Sequence, residues 1–351
     1  MELSKHPVYI ENSDNSDNTD NTDNTDNTDN TDNTDTRDNS DKINNINKAS
    51  NGLSNLGNTC FFNSILQLLF QCTVLNKLIL SNNFTGDIIS IYSDFLRSYL
   101  NSKLSYVEPN NIVNYVSNIL GRNGYQQEDA EQYLNYIIDS LIDELKEFTK
   151  QNSLTCTLIS NKNLTLDELI NNLFTIKIKK TLQCVFCSNQ SKSNDDINKL
   201  YLSIGQNTSE NTISEQNLQN LIQKYIFETL DDDNKWKCDK CNRMVNATIT
   251  RQILNLPKYL IIVLKRYNND NRKNDTCVDM PIDMNINNKS YYLRGIVYHS
   301  GSTSGGHYVY YGKYGHTNNW FLYNDASVSQ INDSTLFDIK KRGYIYLYVA
   351  K

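Results

Sequence analysis

The segment Asn55-Leu56-Gly57-Asn58-Thr59-Cys60-Phe61-Phe62-Asn63-Ser64 sets a cysteine at the start of a helix-spaced apolar run. A thiol at a helix N-terminus feels the positive end of the dipole and the unpaired N–H groups of the first turn, and both favour thiolate. The same N–H groups suit an oxyanion, with Asn55 nearby as a side-chain donor. The chemistry implied is nucleophilic attack on an acyl carbon. Taken alone, the segment still favours an inert cysteine buried at a helix start.

A base is what separates the two readings. The chain holds four histidines, at positions 6, 299, 307 and 316. His307 follows Gly305 and Gly306 and leads the strand-like run Tyr308-Val309-Tyr310. A hairpin turning near Gly315 and His316 would set Asn324 or Asp325 opposite His307. A cysteine, a histidine and an orienting amide or carboxylate are the arrangement of papain-like thiol chemistry. His299 is a rival base without a comparable partner, and His316 reads as a solvated turn residue.

A second constellation is metallic. Cys184-x-x-Cys187 and Cys238-x-x-Cys241 are two knuckles, each able to grip an ion from one side. Together they complete a tetrahedral four-thiolate set. Such a set is closed, so a zinc ion there is structural rather than catalytic. The alternatives are a redox pair and cysteines that are merely near one another in sequence. The long stretch between the knuckles predicts an excursion of the chain that returns to the ion.

These groups need elements to hold them. Phe61, Ile65, Leu68, Leu69, Cys72 and Leu75 recur at helical spacing after Asn58 and Thr59, two capping residue types. Ile88 to Tyr99, Pro109 to Leu120 and Glu128 to Phe148 predict three further helices. Then the period changes. Leu173–Lys179, Tyr259–Leu264, Tyr291–Tyr298, His307–Tyr311, Trp320–Tyr323 and Tyr344–Val349 read as strands. Helices first and antiparallel strands later predict an α+β fold.

Charge divides the chain differently. Residues 1–50 hold 4 of its 34 basic and 12 of its 40 acidic residues, a net of −8 against −6 for the whole, which leaves +2 for the remainder. Residues 12–41 repeat Asp, Asn and Thr without one apolar side chain, so residues 1–50 are expected to be a disordered tail and 51–351 one folded domain. The 23 Tyr and 11 Phe belong to that domain almost entirely. Near-neutral charge argues against a nucleic-acid binder, including a zinc-ribbon one: Lys235, Lys237, Lys240 and Arg243 are offset by Asp231, Asp232, Asp233 and Asp239. Neither a signal-peptide core nor a membrane-length apolar run is evident, so thiols in a reducing intracellular setting are expected.

At this point the residues resemble the ubiquitin-specific protease family of deubiquitinating cysteine proteases. The likeness runs from Leu53 to about Ala350. Gly57 to Ser64 is similar to the family's cysteine box, and Gln127 to Leu134 to its thumb-helix motif. Leu256 to Tyr267 is similar to the strand before the histidine box. Tyr298 to Tyr308 resembles that box, and Trp320 to Asp325 with Val328 the last catalytic strand. The resemblance implies a hand of thumb, palm and zinc-bearing fingers, acting as a monomer on ubiquitin and ubiquitinated proteins, without an organic cofactor. It implies Cys60 as nucleophile, His307 as base, Asn324 as its orienting partner, Asp325 as a supporting neighbour and Asn55 as oxyanion donor. Asp129, Gln127, Gly306 and Tyr308 are implied on the substrate tail. One departure stands out: Gln132 replaces the family's usual Glu, which predicts altered recognition of a basic tail. The alternatives are a weakly catalytic ubiquitin-binding module and a protease for a ubiquitin-like modifier.

Overall fold

The computed structural model describes residues 51–122, 126–151, 155–156, 164–205, 216–231, 233–267, 272–302, 304–313 and 318–351. The acidic repeat, His6, His316 and the turn at Gly315 lie outside the described residues.

The first half is helical. Helices α1 (Cys60–Phe70), α2 (Thr73–Ser81), α3 (Asp87–Asn101), α4 (Asn110–Ile119) and α5 (Ala130–Gln151) follow one another. The run from Phe61 to Leu75 is two helices, where the spacing predicted one. The chain turns by 83° between Phe70 and Thr73. The Asn76 amide then caps the Leu69 and Phe70 carbonyls that the break leaves open. Every residue of α1 is buried. No single helix among the described residues is long and apolar enough to cross a membrane.

The second half is sheet. Strands β1 (Gly52–Leu53) and β2 (Tyr106–Val107) pair at the start of the domain. Strands β3 (Ile176–Cys184), β4 (Gln190–Ile197), β6 (Phe227–Leu230) and β9 (Ala247–Asn255) form an antiparallel sheet in the order β4-β3-β9-β6. Strands β7 (Trp236–Cys238) and β8 (Arg243–Val245) form a separate two-stranded hairpin. The main sheet joins β5 (Lys199–Ser203), β10 (Tyr259–Lys265), β11 (Asp283–Ile286), β12 (Lys289–Ser302), β13 (Gly305–Lys313), β14 (Trp320–Asn324), β15 (Ser327–Ile331) and β16 (Ile345–Ala350). Its order is β15-β14-β13-β12-β16-β10-β5, with β11 beside β12. Only β5 runs parallel to its neighbour. Helices α6 (Leu166–Phe174), α7 (Leu218–Ile226) and α8 (Asp333–Ile339) were not read from the sequence. Their length of two to three turns gives periodicity little room to show.

The main sheet is covered on both faces. Tyr259, Ile261 and Val263 of β10 join the core made with the early helices. Leu260, Ile262 and Leu264, pointing the other way, join the core with α7 and α8. That is why Tyr259–Leu264 is an unbroken apolar run. Beside it, Arg266 is buried and donates to the carbonyls of Gly343, Asn274, Thr276 and Lys341. It thereby fixes the turn that leads Tyr344 into β16. The α+β expectation is met, with α1 packed directly on β12, β13 and β14.

Candidate active site

Cys60 is the first residue of α1. The loop before it needs backbone that ordinary residues avoid: Gly57 has φ 104° and Asn58 φ 58°. Asn55 ties this loop together. Its Oδ1 accepts from the N–H groups of Gly57 and Thr59, at 3.0 Å each. Thr59 does not cap the helix with its side chain, as its type suggested. Its hydroxyl instead accepts from Leu56 N–H at 2.9 Å. The first-turn amides of α1 are therefore left for the thiol. Cys60 Sγ receives N–H groups from Tyr308, Phe61 and Cys60 itself.

Burial pushes the Cys60 thiol up from its ordinary value, and the Asp325 carboxylate adds to the rise. The three N–H groups oppose it without cancelling it. The environment of Cys60 therefore favours the thiol over the thiolate.

The candidate base lies on β13. His307 Nε2 is 2.7 Å from Asn324 Oδ1. A carbonyl oxygen only accepts, so Nε2 carries the proton and Nδ1 is the basic nitrogen. The sequence placed this partner by an expected strand register, and the register is two residues different. Tyr310 pairs with Tyr323 and Lys313 with Trp320, and the ladder stops there. Past Tyr310 the strands part, and Asp325 turns the chain with φ 49°. Asn324 thus reaches His307 through its side chain rather than as a cross-strand neighbour.

Asp325 points away from the histidine. Its Oδ2 accepts from Asn55 Nδ2 at 2.9 Å and its Oδ1 from Asn63 Nδ2 at 2.7 Å. Its backbone carbonyl accepts from Leu53 N–H at 2.8 Å. It is a tie between the cysteine loop, α1 and the histidine's strand pair. The signal for Asn63 in the sequence is a polar amide, with Ser64 and Gln67, on a buried helix, since such groups need partners.

A cleft of about 300 Å³ lies beside the thiol, lined by Cys60, Gln127, Asp129, Tyr267, His299 and Tyr308 among others. His299 is not a competing base. Burial, then the nearby Lys273 ammonium, holds it down to about 4. Its Nδ1 lies 2.7 Å from Tyr267 Oη, and its ring centroid lies 4.4 Å from that of Tyr308. Asp129 caps α5 through Glu131 N–H at 2.7 Å and accepts Tyr344 Oη at 3.1 Å. Burial raises its carboxyl despite those donors. Gln127 and Gly306 meet each other. Gly306 N–H donates to Gln127 Oε1, and Gln127 Nε2 donates to Gly306 O, both at 3.0 Å.

The four cysteines also converge. Their Sγ atoms lie within 4.8 Å of one another. The Cys184–Cys241 and Cys187–Cys238 separations are 3.8 and 3.7 Å. Four thiolates at ~2.3 Å from a zinc ion stand ~3.8 Å apart at the corners of a tetrahedron, so the donor set fits. Cys187 N–H and Asn189 Nδ2 are aimed at these sulfurs, as a second layer of donors.

The ubiquitin carboxyl-terminal hydrolase family model matches residues 51–348. The chain belongs to that family. It is, by family, a deubiquitinating cysteine protease, with ubiquitin and ubiquitinated proteins as its partners. Human ubiquitin carboxyl-terminal hydrolase 3 is 28% identical over 356 residues, covering 85% of this chain and 67% of the relative. Human ubiquitin carboxyl-terminal hydrolase 2 is 28% identical, covering 81% and 52%. Ubiquitin carboxyl-terminal hydrolase 25 of Arabidopsis thaliana is 27% identical, covering 85% and 47%. The chain thus spans 47% to 67% of the length of these hydrolases. In this family's terms, α1 to α5 are the thumb, the main sheet the palm and the β3–β4–β6–β9 sheet the fingers.

Proposed function

We propose that Cys60, His307 and Asn324 carry out acyl transfer from the C-terminal Gly of ubiquitin. The observation that carries this is the 2.7 Å contact of His307 Nε2 with Asn324 Oδ1, one residue from the Tyr308 N–H that meets Cys60. His307 Nδ1 takes the Cys60 proton, and the thiolate attacks the Gly carbonyl. The Cys60 N–H and the second Nδ2 proton of Asn55 stabilise the oxyanion, each donor worth ~2.7–4 kcal/mol in a comparable site. The C–N bond breaks as His307 returns the proton to the leaving amine. A water deprotonated by His307 then cleaves the thioester. Asp325 holds Asn55 and α1 in place.

Asp129, Tyr308, Gln127 and Gly306 belong to the channel for the ubiquitin tail in this reading, which their place on the cleft supports. Cys184, Cys187, Cys238 and Cys241 hold a structural zinc ion that fixes the tip of the fingers and takes no part in the reaction. The chain acts as a monomer inside the cell, with residues 1–50 as a spacer rather than part of the catalytic domain.

The test is reaction with ubiquitin bearing a C-terminal electrophile. One adduct per chain is expected, lost in Cys60→Ala and slowed in Asn324→Ala. An adduct that survives Cys60→Ala overturns the assignment.

A further inference from the structure

Strand β13 has β12 along one edge from Gly305 to Gly312. On its other edge β14 reaches only from Tyr310 to Lys313. Among the described residues, the edge from Gly305 to Val309 therefore faces the cleft without a strand partner. Main-chain groups alternate sides along a strand, so Gly306 and Tyr308 turn theirs the same way. Tyr308 N–H goes to Cys60. About 6.8 Å further along this edge, Gly306 offers both an N–H and a C=O. Gln127 occupies both.

A primary carboxamide carries the same donor and acceptor as a peptide group. The Gln127–Gly306 pair is what one residue of an added antiparallel strand would make, both bonds exchanged between two partners. Nothing bulkier fits on the strand side. A Cβ on Gly306 would stand 2.2 Å from Ser300 O, and one on Gly305 2.9 Å from Gln127 Oε1. Gln127 precedes α5 on the thumb while Gly306 lies on the palm, so the pair bridges the cleft.

We infer that Gln127 is a stand-in for the substrate main chain: its amide holds the Gly306 subsite shut, and an extended peptide tail must displace it to reach Cys60. This deepens the reading of the cleft as the ubiquitin-tail channel and rests on it. Gln127 then sets affinity by taxing entry. It makes no contact with the reacting atoms.

The test is Gln127→Ala, with Gln127→Met as a variant of similar length lacking the amide. On a fluorogenic ubiquitin C-terminal amide, KM is expected to fall about three- to tenfold with kcat within about twofold, the size of effect two exposed neutral hydrogen bonds allow. The alkylation rate of Cys60 by iodoacetamide, read by mass spectrometry, is expected to rise by a similar factor. A KM that rises in both variants overturns the inference, because Gln127 would then be holding substrate itself. Unchanged alkylation and unchanged KM overturn it equally. A wild-type chain inert to ubiquitin, with alkylation still faster in Gln127→Ala and Gln127→Met, would sink the ubiquitin reading and leave the stand-in role intact.

Discussion

Asn63 donates its amide to Asp325 at 2.7 Å, from a buried helix to the turn that follows the histidine's partner strand. The two residues lie on opposite sides of the catalytic cleft in sequence order, one three residues after Cys60 and the other directly after Asn324. Asp325 therefore acts on the site through position, as the tie between nucleophile helix and base.

Replacing Asp325 by Ala removes a carboxylate acceptor from Asn63 and Asn55, while Asn63 keeps the Leu53 and Ser54 carbonyls at 3.2 Å each. A loss of about 1–3 kcal/mol in stability is expected for the charge-assisted hydrogen bonds removed. Removing its negative charge should at the same time move the Cys60 thiol toward lower pH, because Asp325 raises it. Thermal unfolding and the pH profile of Cys60 alkylation measure the two effects. A variant with unaltered melting and an unaltered profile contradicts the tie.

Asn324→Ala frees the His307 ring to take the wrong tautomer. A fall in kcat of roughly 10²-fold is expected, within the range a positioned base supplies. Asn324→Asp keeps an acceptor and should retain most activity. Equal losses in the two variants would show that the amide matters for something other than accepting Nε2–H.

Burial, above all, holds the Cys60 thiol higher than its ordinary value in the free enzyme. Alkylation should therefore climb about tenfold per pH unit between pH 6 and 8, following the thiolate fraction. A rate that is flat over that range would mean that thiolate and imidazolium pair at rest, against the resting state described above.

His299 is held down to about 4 by burial and Lys273. In the unfolded chain it titrates near ~6.5. Its folded pKa is depressed, so the unfolded state binds the proton first as pH falls. Stability is then whole above ~6.5 and is lost between ~6.5 and ~4, at a slope approaching ~1.4 kcal/mol per pH unit. His299→Asn should flatten that limb of a denaturation series. An unchanged slope assigns the acid sensitivity elsewhere.

The fingertip core is Cys184, Cys238 and Val245, with Trp236, Cys187 and Cys241 against it. Among the described residues, so few apolar groups cannot hold two knuckles together without a cross-link. About one zinc per chain is expected by metal analysis, and chelation or Cys238→Ser should lower the melting temperature. Metal-free protein with the same melting temperature and the same fingertip hydrogen exchange would refute this.

Much of this was legible before any coordinates. The four cysteines announce their site by spacing alone, because two ligands per turn leave few ways to close a tetrahedron. Cys60 and His307 were legible as residue types in context, but the approach of the His307 strand to Cys60, through Tyr308 N–H, is a matter of long-range packing that periodicity does not encode. The β13–β14 register was misplaced by two because turn length, not strand composition, fixes it. The break at Gln71 was hidden for a different reason. The apolar spacing of α1 continues in phase into α2, and only the Asn76 amide betrays the corner. The Asn63–Asp325 tie escaped because an amide in a helix says that a partner exists without saying where.

The helix that begins with Cys60 is buried at every one of its 11 positions. In most thiol chemistry the nucleophile can be pictured as an attachment to a scaffold. Here the proposed nucleophile is the first link of a segment buried throughout, so the site cannot outlast the core it is built from. Activity and global folding should vanish together on heating, with no inactive but folded plateau between them. Turnover is then a direct readout of the folded fraction, and destabilising substitutions anywhere in the core will register first as missing enzyme rather than as slow enzyme.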